Sequence, residues 1–156
     1  MADVQVFIIR HSRAVDESHG ILDEDRYLTA EGRLRARVVG SVLAREGVSF
    51  DAVISSPLTR AIQTAELVCE KVGYLGIIAT SRTLIHSLPA RLAAAELPTR
   101  GVKVACFGHM PHLSELGALL TSRPEFPHFK PCQVVFIDDG EVRWTLDPDS
   151  LRLERM

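Results

Sequence analysis

The chain has 156 residues, of which 46% are hydrophobic and 24% charged, and its formal net charge is −2. These values predict one globular domain spanning residues 1–156, and they give no reason to expect nucleic acid or a membrane surface as partner. Because the sequence shows neither a basic leader nor a long apolar run, we expect a cytoplasmic protein. The odd number and wide spacing of the cysteines predict buried reduced thiols at Cys69, Cys106 and Cys132.

The first predicted element is a buried strand at Val4–Ile9, an apolar run rich in β-branched residues. It leads into Arg10, His11 and Arg13. Ligands of open α/β sheets bind outside the carboxyl ends of the strands, so this is a predicted site. Guanidinium groups disfavour a positive imidazole and hold anions, which is typical of phosphoryl chemistry. A strand-end histidine beside solvated arginines is the alternative interpretation.

A polar segment without periodicity follows at Ala14–Arg26 and predicts a loop. The next helix is predicted to begin after Thr29 as N-cap and to end at Gly47. Apolar residues spaced four apart predict its buried stripe: Leu34, Val38 and Val42.

A second strand is predicted at Phe50–Ser55 and leads directly into a helix. Ser56 is its predicted N-cap and Pro57 its first helical residue. The predicted apolar face of this helix consists of Leu58, Ile62, Ala65, Cys69 and Val72. Arg60 falls off that face within the first turn, so we expect it at the same sheet edge as His11.

A short third strand is predicted around Ile77–Ile78, and a helix over Leu88–Leu97 that Pro98 ends. A clear strand at Val102–Phe107 then runs through a glycine into His109. Three predicted strands therefore direct polar side chains to one edge of a sheet.

The C-terminal part begins with a helix opened by Pro111, whose predicted stripe is Leu113, Leu116 and Leu120. A hairpin is predicted from Gln133–Asp138 and Glu141–Leu146, joined by a two-residue Asp-Gly turn. Its predicted inward residues are Val142, Trp144 and Leu146. The whole pattern predicts a three-layer α/β/α sandwich with a mostly parallel central sheet and helices on both faces.

Four predicted site residues meet at the carboxyl edge of this sheet: Arg10, His11, Arg60 and His109. Two histidines and two arginines form an electropositive pocket suited to a phosphoryl group. The motifs around them occur in one order along nearly the whole chain: Arg10-His11, Arg26-x-Leu28-Thr29-x-x-Gly32, Ser56-Pro57-Leu58-x-Arg60-Ala61-x-Gln63-Thr64-Ala65, Gly108-His109-x-Pro111 and Trp144-x-Leu146-x-Pro148. In these motifs the chain resembles the histidine phosphatase superfamily, with its phosphoglycerate mutase-like fold, and especially the SixA type of phosphohistidine phosphatase.

The resemblance implies that His11 is the nucleophile that accepts the phosphoryl group. Arg10, Arg60 and His109 would hold the phosphoryl oxygens, and water would hydrolyse the phosphohistidine intermediate. It implies no metal and no organic cofactor. The implied substrate is a phosphorylated protein, such as a histidine-phosphotransfer domain, or a small phosphate ester.

Two substrate contacts are predicted beside this set. The family has glycine where this chain has Ser12, so either its φ is negative or its hydroxyl contributes to the pocket. Arg13 is the second predicted phosphate or substrate contact, although any single arginine is weak support on an arginine-rich chain.

The general acid is the main departure from the family pattern. Met110 follows the second histidine where acid phosphatases have aspartate, and His86 stands where a carboxylate is expected. An alkoxide leaving group needs a proton donor more than an imidazole does, which favours phosphohistidine as substrate. His86 is either that acid, with a place in substrate binding, or an exposed loop residue.

The short chain leaves little sequence for a lid, which favours an open site and a protein substrate. The main alternative is a small-molecule phosphomonoesterase acting on a sugar phosphate or nucleotide-pathway ester. A silent phosphate-binding module and a mutase are further alternatives, the mutase disfavoured because no carboxylate and little lid are present.

Overall fold

The computed structural model describes residues 4–17 and 20–156. Its strands are β1 (Gln5–Arg10), β2 (Ala52–Ser55), β3 (Ile78–Thr80), β4 (Lys103–Gly108), β5 (Val134–Asp138), β6 (Glu141–Leu146) and β7 (Leu153–Arg155). Its α-helices are α1 (Ala30–Arg45), α2 (Thr59–Val72), α3 (Ala90–Arg100) and α4 (His112–Thr121). Among the described residues, Asp23–Asp25 and Arg82–Leu84 form 3₁₀ turns in the connections.

The strands form one seven-stranded sheet in the order β3-β2-β4-β1-β5-β6-β7. The four strands from β3 to β1 are mutually parallel, whereas β5, β6 and β7 add an antiparallel extension beside β1. The predicted α/β fold is thus confirmed, with a more mixed sheet than expected. The hairpin of β5 and β6 is also confirmed, whereas β7 has no counterpart in the sequence prediction.

Side chains of β1 alternate between the two faces of the sheet. Phe7 and Ile9 pack in one core cluster with residues of α1 and α2, while Val6 and Ile8 pack in a second with residues of α3 and α4. A strand that is buried on both faces must be apolar throughout, which explains the apolar run read from the sequence. β1 therefore lies in the middle layer, with helices packed on both faces of the sheet.

The N-cap of α1 is as predicted, whereas its buried stripe is as predicted only at Val42. Thr29 Oγ1 accepts a hydrogen bond from the Gly32 amide at 2.9 Å. Val42 is buried as predicted, but Leu34 is 60% exposed and Val38 is only half-buried, and the helix also buries Gly32, Ala36, Val39, Gly40 and Leu43. A Cβ on Gly40 would lie 2.9 Å from Lys71 Cβ, so α1 and α2 approach too closely there for a leucine. The buried face of α1 therefore contains small residues, because the backbones of α1 and α2 are too close for large side chains.

Helix α2 begins two residues later than predicted, since Leu58 is its N-cap and Thr59 its first residue. The Ser56 hydroxyl does accept a hydrogen bond from the Leu58 amide at 3.2 Å, but its other contact is to His109. The buried face comprises Arg60, Ala61, Thr64, Ala65, Val68 and Cys69, so the predicted face is right only at Ala65 and Cys69. The expectation that Arg60 lies off the buried face is wrong.

Helix α3 also differs from its prediction, because Pro98 lies inside it and the helix continues to Arg100. Proline in the last turn removes only one backbone donor, and that loss is tolerated near a helix end. The three cysteines are buried and unpaired, as predicted, and burial raises the pKa of Cys69, Cys106 and Cys132 to about 12. Every helix within residues 4–17 and 20–156 is too short or too polar to cross a lipid bilayer.

Candidate active site

The site forms where β1, β2 and β4 end side by side. The parallel pairing places Arg10 opposite Gly108 and Ser55 opposite Phe107, so the residues that follow these strands meet at one edge. The His11 amide donates to the Gly108 carbonyl at 3.0 Å, continuing the ladder one residue past β1. The predicted convergence of the three strand ends is therefore present.

His11 is held in one tautomer by its own neighbour. Its Nδ1 lies 2.7 Å from the Ser12 carbonyl oxygen, which can only accept, so Nδ1 carries the proton and donates it. Nε2 is left with a free electron pair. Burial, followed by the charges of Arg60, Arg10 and Arg26, lowers the pKa of His11 to about 4, although the bond to Ser12 opposes that shift. The imidazole is thus neutral and nucleophilic near pH 7.

Three imidazoles lie in succession at this edge. The ring centres of His11 and His109 are 5.2 Å apart, and those of His109 and His86 are 5.9 Å apart in an edge-to-face arrangement. His86 follows the 3₁₀ turn Arg82–Leu84 and is exposed. The structure therefore brings this predicted residue to the outer side of the site.

His109 is almost fully buried and is oriented by Ser56. Its Nε2 lies 2.7 Å from Ser56 Oγ, which accepts the Leu58 amide proton, and we assign the Ser56 hydroxyl as the donor to Nε2. That assignment leaves the proton of His109 on Nδ1, which has no partner among the described residues. Burial, followed by the charges of His11, Arg60 and His86, lowers the pKa of His109 to about 2. His109 is a neutral hydrogen-bond donor.

Arg10 is fixed by the segment that precedes β5. Its Nη1 donates to the Phe129 carbonyl at 2.7 Å, and burial lowers the pKa of its guanidinium. Its Nε is buried and makes no hydrogen bond within the described residues. One end of the guanidinium is anchored, and another donor is left unused.

Arg60 is held by Asp23, a residue that comes from the polar segment before α1. Arg60 Nη1 donates to the Asp23 carbonyl at 2.8 Å, and Nη2 lies 3.4 Å from Asp23 Oδ2. The Arg60 residue is only 4% exposed, and its Nε has no partner in the described part of the chain. The contact with Asp23 offsets the cost of burying the Arg60 guanidinium on α2.

The site thus contains three buried donors that no described protein group uses: Nε of Arg10, Nε of Arg60 and Nδ1 of His109. Buried polar groups are nearly always hydrogen-bonded in folded proteins, and an unsatisfied one costs about 1–3 kcal/mol. Such a set around an unprotonated Nε2 suits an anion with several oxygens. A phosphoryl group has this charge and these acceptors.

The two tentative contacts next to His11 have other partners in this structure. Ser12 has a negative φ and is fully buried, its amide donates to Thr64 Oγ1, and its hydroxyl donates to the Gly32 carbonyl at 2.8 Å. Arg13 is exposed and lies 3.9 Å from Glu31. The prediction that Ser12 and Arg13 contact phosphate gains no support from this arrangement.

Gly32 is the residue that lets α1 approach the segment after His11. A Cβ at this position would lie 2.1 Å from the Arg13 carbonyl oxygen. That carbonyl accepts the Thr29 amide at 3.0 Å, so the N-terminus of α1 is joined to the segment directly. The glycine of the sequence motif is thus required by packing rather than by a turn.

The predicted loop at Ala14–Arg26 supplies two residues that sequence reasoning did not assign to the site. Arg26 donates from Nε to the Val15 carbonyl at 2.7 Å and from Nη1 to Asp23 at 3.0 Å. Its charge also lowers the pKa of His11. The signal for Arg26 was its place at the head of a motif, but nothing local in the sequence indicates the pairing of Asp23 with Arg60. Ser18 and His19 of this loop lie outside the described residues.

A cleft of about 580 Å³ is lined by His86, the outermost of the three imidazoles. It lies between the Asp23–Asp25 turn, the start of α2 and the segment carrying His86, and its walls are Leu22, Asp23, Glu24, Pro57, Leu58, Arg82, Ile85, His86 and Ser87. The cleft has an open mouth and mixed walls, in which apolar side chains stand among charged and polar ones.

Comparison of the chain with known proteins identifies its family. A model of the histidine phosphatase superfamily (branch 1) matches residues 6–83. An uncharacterised protein of Picosynechococcus sp. is 33% identical over 115 residues, which cover 72% of this chain and 70% of that protein. The mitochondrial serine/threonine-protein phosphatase PGAM5 of Homo sapiens is 29% identical over 136 residues, and the match spans 86% of this chain but only 35% of that protein.

The architecture also matches a solved structure closely. The protein histidine phosphatase SixA, in its complex with tungstate, superposes with a TM-score of 0.86 at 26% identity, covering 96% of this chain and 100% of that one. The similarity extends over both the parallel strands and the antiparallel extension, since nearly every residue is included.

Proposed function

The chain belongs to the histidine phosphatase superfamily and is a hydrolase, and from this we propose that it removes phosphoryl groups from phosphohistidine in a protein, such as a phosphotransfer signalling domain. We propose His11 as nucleophile, with Arg10, Arg60 and His109 as the groups that hold the phosphoryl oxygens. The carrying observation is the set of three unsatisfied buried donors around His11. The similarity to SixA, a protein histidine phosphatase, supports the choice of substrate.

In the first step, Nε2 of His11 attacks phosphorus and a new N–P bond forms. The bond between phosphorus and the substrate imidazole breaks, and the substrate ring, protonated on its other nitrogen, leaves as neutral imidazole. His11 gains positive charge as it is phosphorylated, and the Ser12 carbonyl that accepts its Nδ1 proton stabilises that charge. The guanidiniums of Arg10 and Arg60 offset the charge on the oxygens, more strongly in the transition state than before it.

In the second step, water attacks the phosphoryl group on His11. An O–P bond forms, the bond to Nε2 breaks, and the water gives up a proton to solvent. Inorganic phosphate leaves, and the imidazole returns to its neutral tautomer with Nδ1 still bonded to Ser12. The same donors hold the oxygens in both steps.

A protein substrate is supported by the access to the site. The cleft beside His86 is open and has apolar walls at Leu58 and Ile85, which suit the flat ring of a phosphorylated histidine. An open cleft also contacts a small ester on few sides, so we expect weak binding of small phosphates.

The test is release of inorganic phosphate from a phosphohistidine-bearing phosphotransfer protein, compared with release from an aryl phosphate. We expect fast release from the protein substrate and a loss of at least about 1,000-fold in His11→Ala, because no other described group is placed as nucleophile. His128→Ala, at an exposed site far along the chain, is the control. Release that survives His11→Ala would refute the proposed mechanism.

The second candidate is phosphomonoester hydrolysis, which the position of His86 favours because an imidazole beside His109 can protonate a leaving oxygen. If this function is correct, His86→Asn lowers kcat/KM strongly for an alkyl phosphate and little for a nitrophenyl phosphate, whose leaving group needs no proton. Equal losses with both esters would assign His86 a binding role only. Rapid turnover of small esters with none of the protein substrate would favour this candidate over the first.

A further inference from the structure

The two terminal nitrogens of Arg60 are both occupied by one residue of the chain. Asp23 receives Nη1 with its backbone carbonyl and lies against Nη2 with its carboxylate. We propose that Asp23 is an internal competitor for the phosphoryl group at Arg60, and that it thereby sets the affinity of the site for phosphate. This inference rests on the proposed function only in that Arg60 is taken as a phosphate-binding residue.

The Asp23 carboxylate is held in place independently of Arg60. Its Oδ1 accepts a hydrogen bond from Arg26 Nη1 at 3.0 Å, and the 3₁₀ turn Asp23–Asp25 fixes its backbone. Burial raises the pKa of Asp23, but the hydrogen bond from Arg26 and the charge of Arg60 outweigh that effect, so its pKa is lowered. The carboxylate is therefore negative at neutral pH.

A carboxylate and a phosphoryl group bind a guanidinium in the same geometry, since each offers two oxygens to a pair of parallel N–H donors. Arg60 is 4% exposed and its Nη edge already faces Asp23, so an anion on that edge competes with the Asp23 carboxylate for the same donors. Two anions on one edge would also repel each other in a site with little water. A phosphoryl group accepts from the free Nε of Arg60, and to reach the Nη edge as well it must displace the Asp23 carboxylate.

Displacing Asp23 breaks its contact with Arg60, so the affinity for every phosphorylated ligand falls by the same amount. A substrate with further contacts in the cleft offsets that loss, whereas inorganic phosphate has none to offset it. Asp23 therefore weakens product binding and shortens the time that phosphate occupies the site after hydrolysis. A merely positioning role of Asp23 predicts the opposite, because loosening Arg60 would weaken phosphate binding.

The test measures inorganic phosphate binding by titration calorimetry for the wild type, Asp23→Asn, Asp23→Glu and Asp25→Asn. Asparagine removes the charge but keeps the backbone carbonyl that receives Arg60, so we expect phosphate to bind at least about fivefold more tightly. Glutamate keeps the charge and should restore affinity near that of the wild type. Asp25→Asn makes the same change at an exposed neighbour in the same turn and should leave affinity unchanged.

Kinetics give a second readout. We expect KM to fall in Asp23→Asn while kcat does not rise, because tighter product binding slows release. Asp23→Ala, with thermal unfolding as a check on folding, serves if the asparagine variant is unstable. Phosphate affinity that is unchanged or weaker in folded Asp23→Asn or Asp23→Ala would overturn the proposal. A protein that hydrolyses no phosphorylated substrate would refute the proposed function, whereas the binding comparison needs no turnover and would still decide the role of Asp23.

Discussion

The immediate surroundings of His11 hold its imidazole in the neutral form, which is the form that can act as a nucleophile. The Ser12 carbonyl fixes the proton on Nδ1, and burial with nearby guanidinium charge keeps the ring neutral. A histidine in water is partly protonated at pH 6.5, and a protonated ring has no electron pair to attack with. The site thus keeps the His11 ring unprotonated through burial and nearby charge, without a separate general base.

This low pKa makes stability depend on pH. Between pH 6.5 and about pH 4 the unfolded chain binds a proton at His11 that the folded chain does not, so the free energy of unfolding falls as the pH falls. The low pKa of His109 acts in the same direction. We expect His11→Asn to reduce the loss of stability between pH 7 and pH 4.5 by on the order of 1–2 kcal/mol, measured by urea unfolding.

His128→Asn, at an exposed histidine, is the matched control for that experiment and should leave the pH dependence as in the wild type. A His11→Asn variant with the same pH dependence as the wild type would show that the imidazole is not neutral in the folded site. Titration of the His11 ring by NMR, with a midpoint near 4, checks the same property directly.

Helix α1 shows how an element can be recognised while its packing is missed. The capping residue Thr29 and the terminating Gly47 were both readable, because capping and left-handed φ are local properties. The buried face was not readable, because close approach to α2 and to the segment after His11 decided it. That approach requires the small residues Gly32 and Gly40.

Gly32→Ala tests this packing. The added methyl group would lie 2.1 Å from the Arg13 carbonyl oxygen, so either α1 or the segment after His11 must move. We expect a loss of about 2–4 kcal/mol in the free energy of unfolding and a fall in kcat from displacement of His11. Ser41→Ala, on the exposed face of the same helix, is the control. Full stability and activity in Gly32→Ala would contradict the close approach.

At the scale of the whole molecule, the site collects cations from three distant parts of the chain. Arg10 is the last residue of the central strand, Arg26 ends the predicted loop, and Arg60 lies in α2, while the net charge of the chain is −2. A local concentration of guanidinium charge in a chain of slightly negative net charge arises from topology, because parallel strands end at one edge.

We predict that this charge suffices for catalysis without a metal ion. Turnover should be unchanged after extensive treatment with EDTA, whereas Arg60→Ala should lower kcat/KM by about 100-fold or more. Phosphate release measured before and after dialysis against the chelator makes the comparison. Strong inhibition that added divalent metal reverses would contradict a mechanism based on guanidinium groups alone.

The sequence by itself determined the α/β fold, the buried strands and the four residues predicted at one sheet edge, because apolar periodicity, capping and strand ends are local in the chain. Only the tertiary structure decided that Asp23 occupies Arg60, that the Ser12 hydroxyl faces Gly32 and that His86 stands beside His109. These contacts join residues far apart in sequence. Their energies depend on burial and distance, which exist only after the chain has folded.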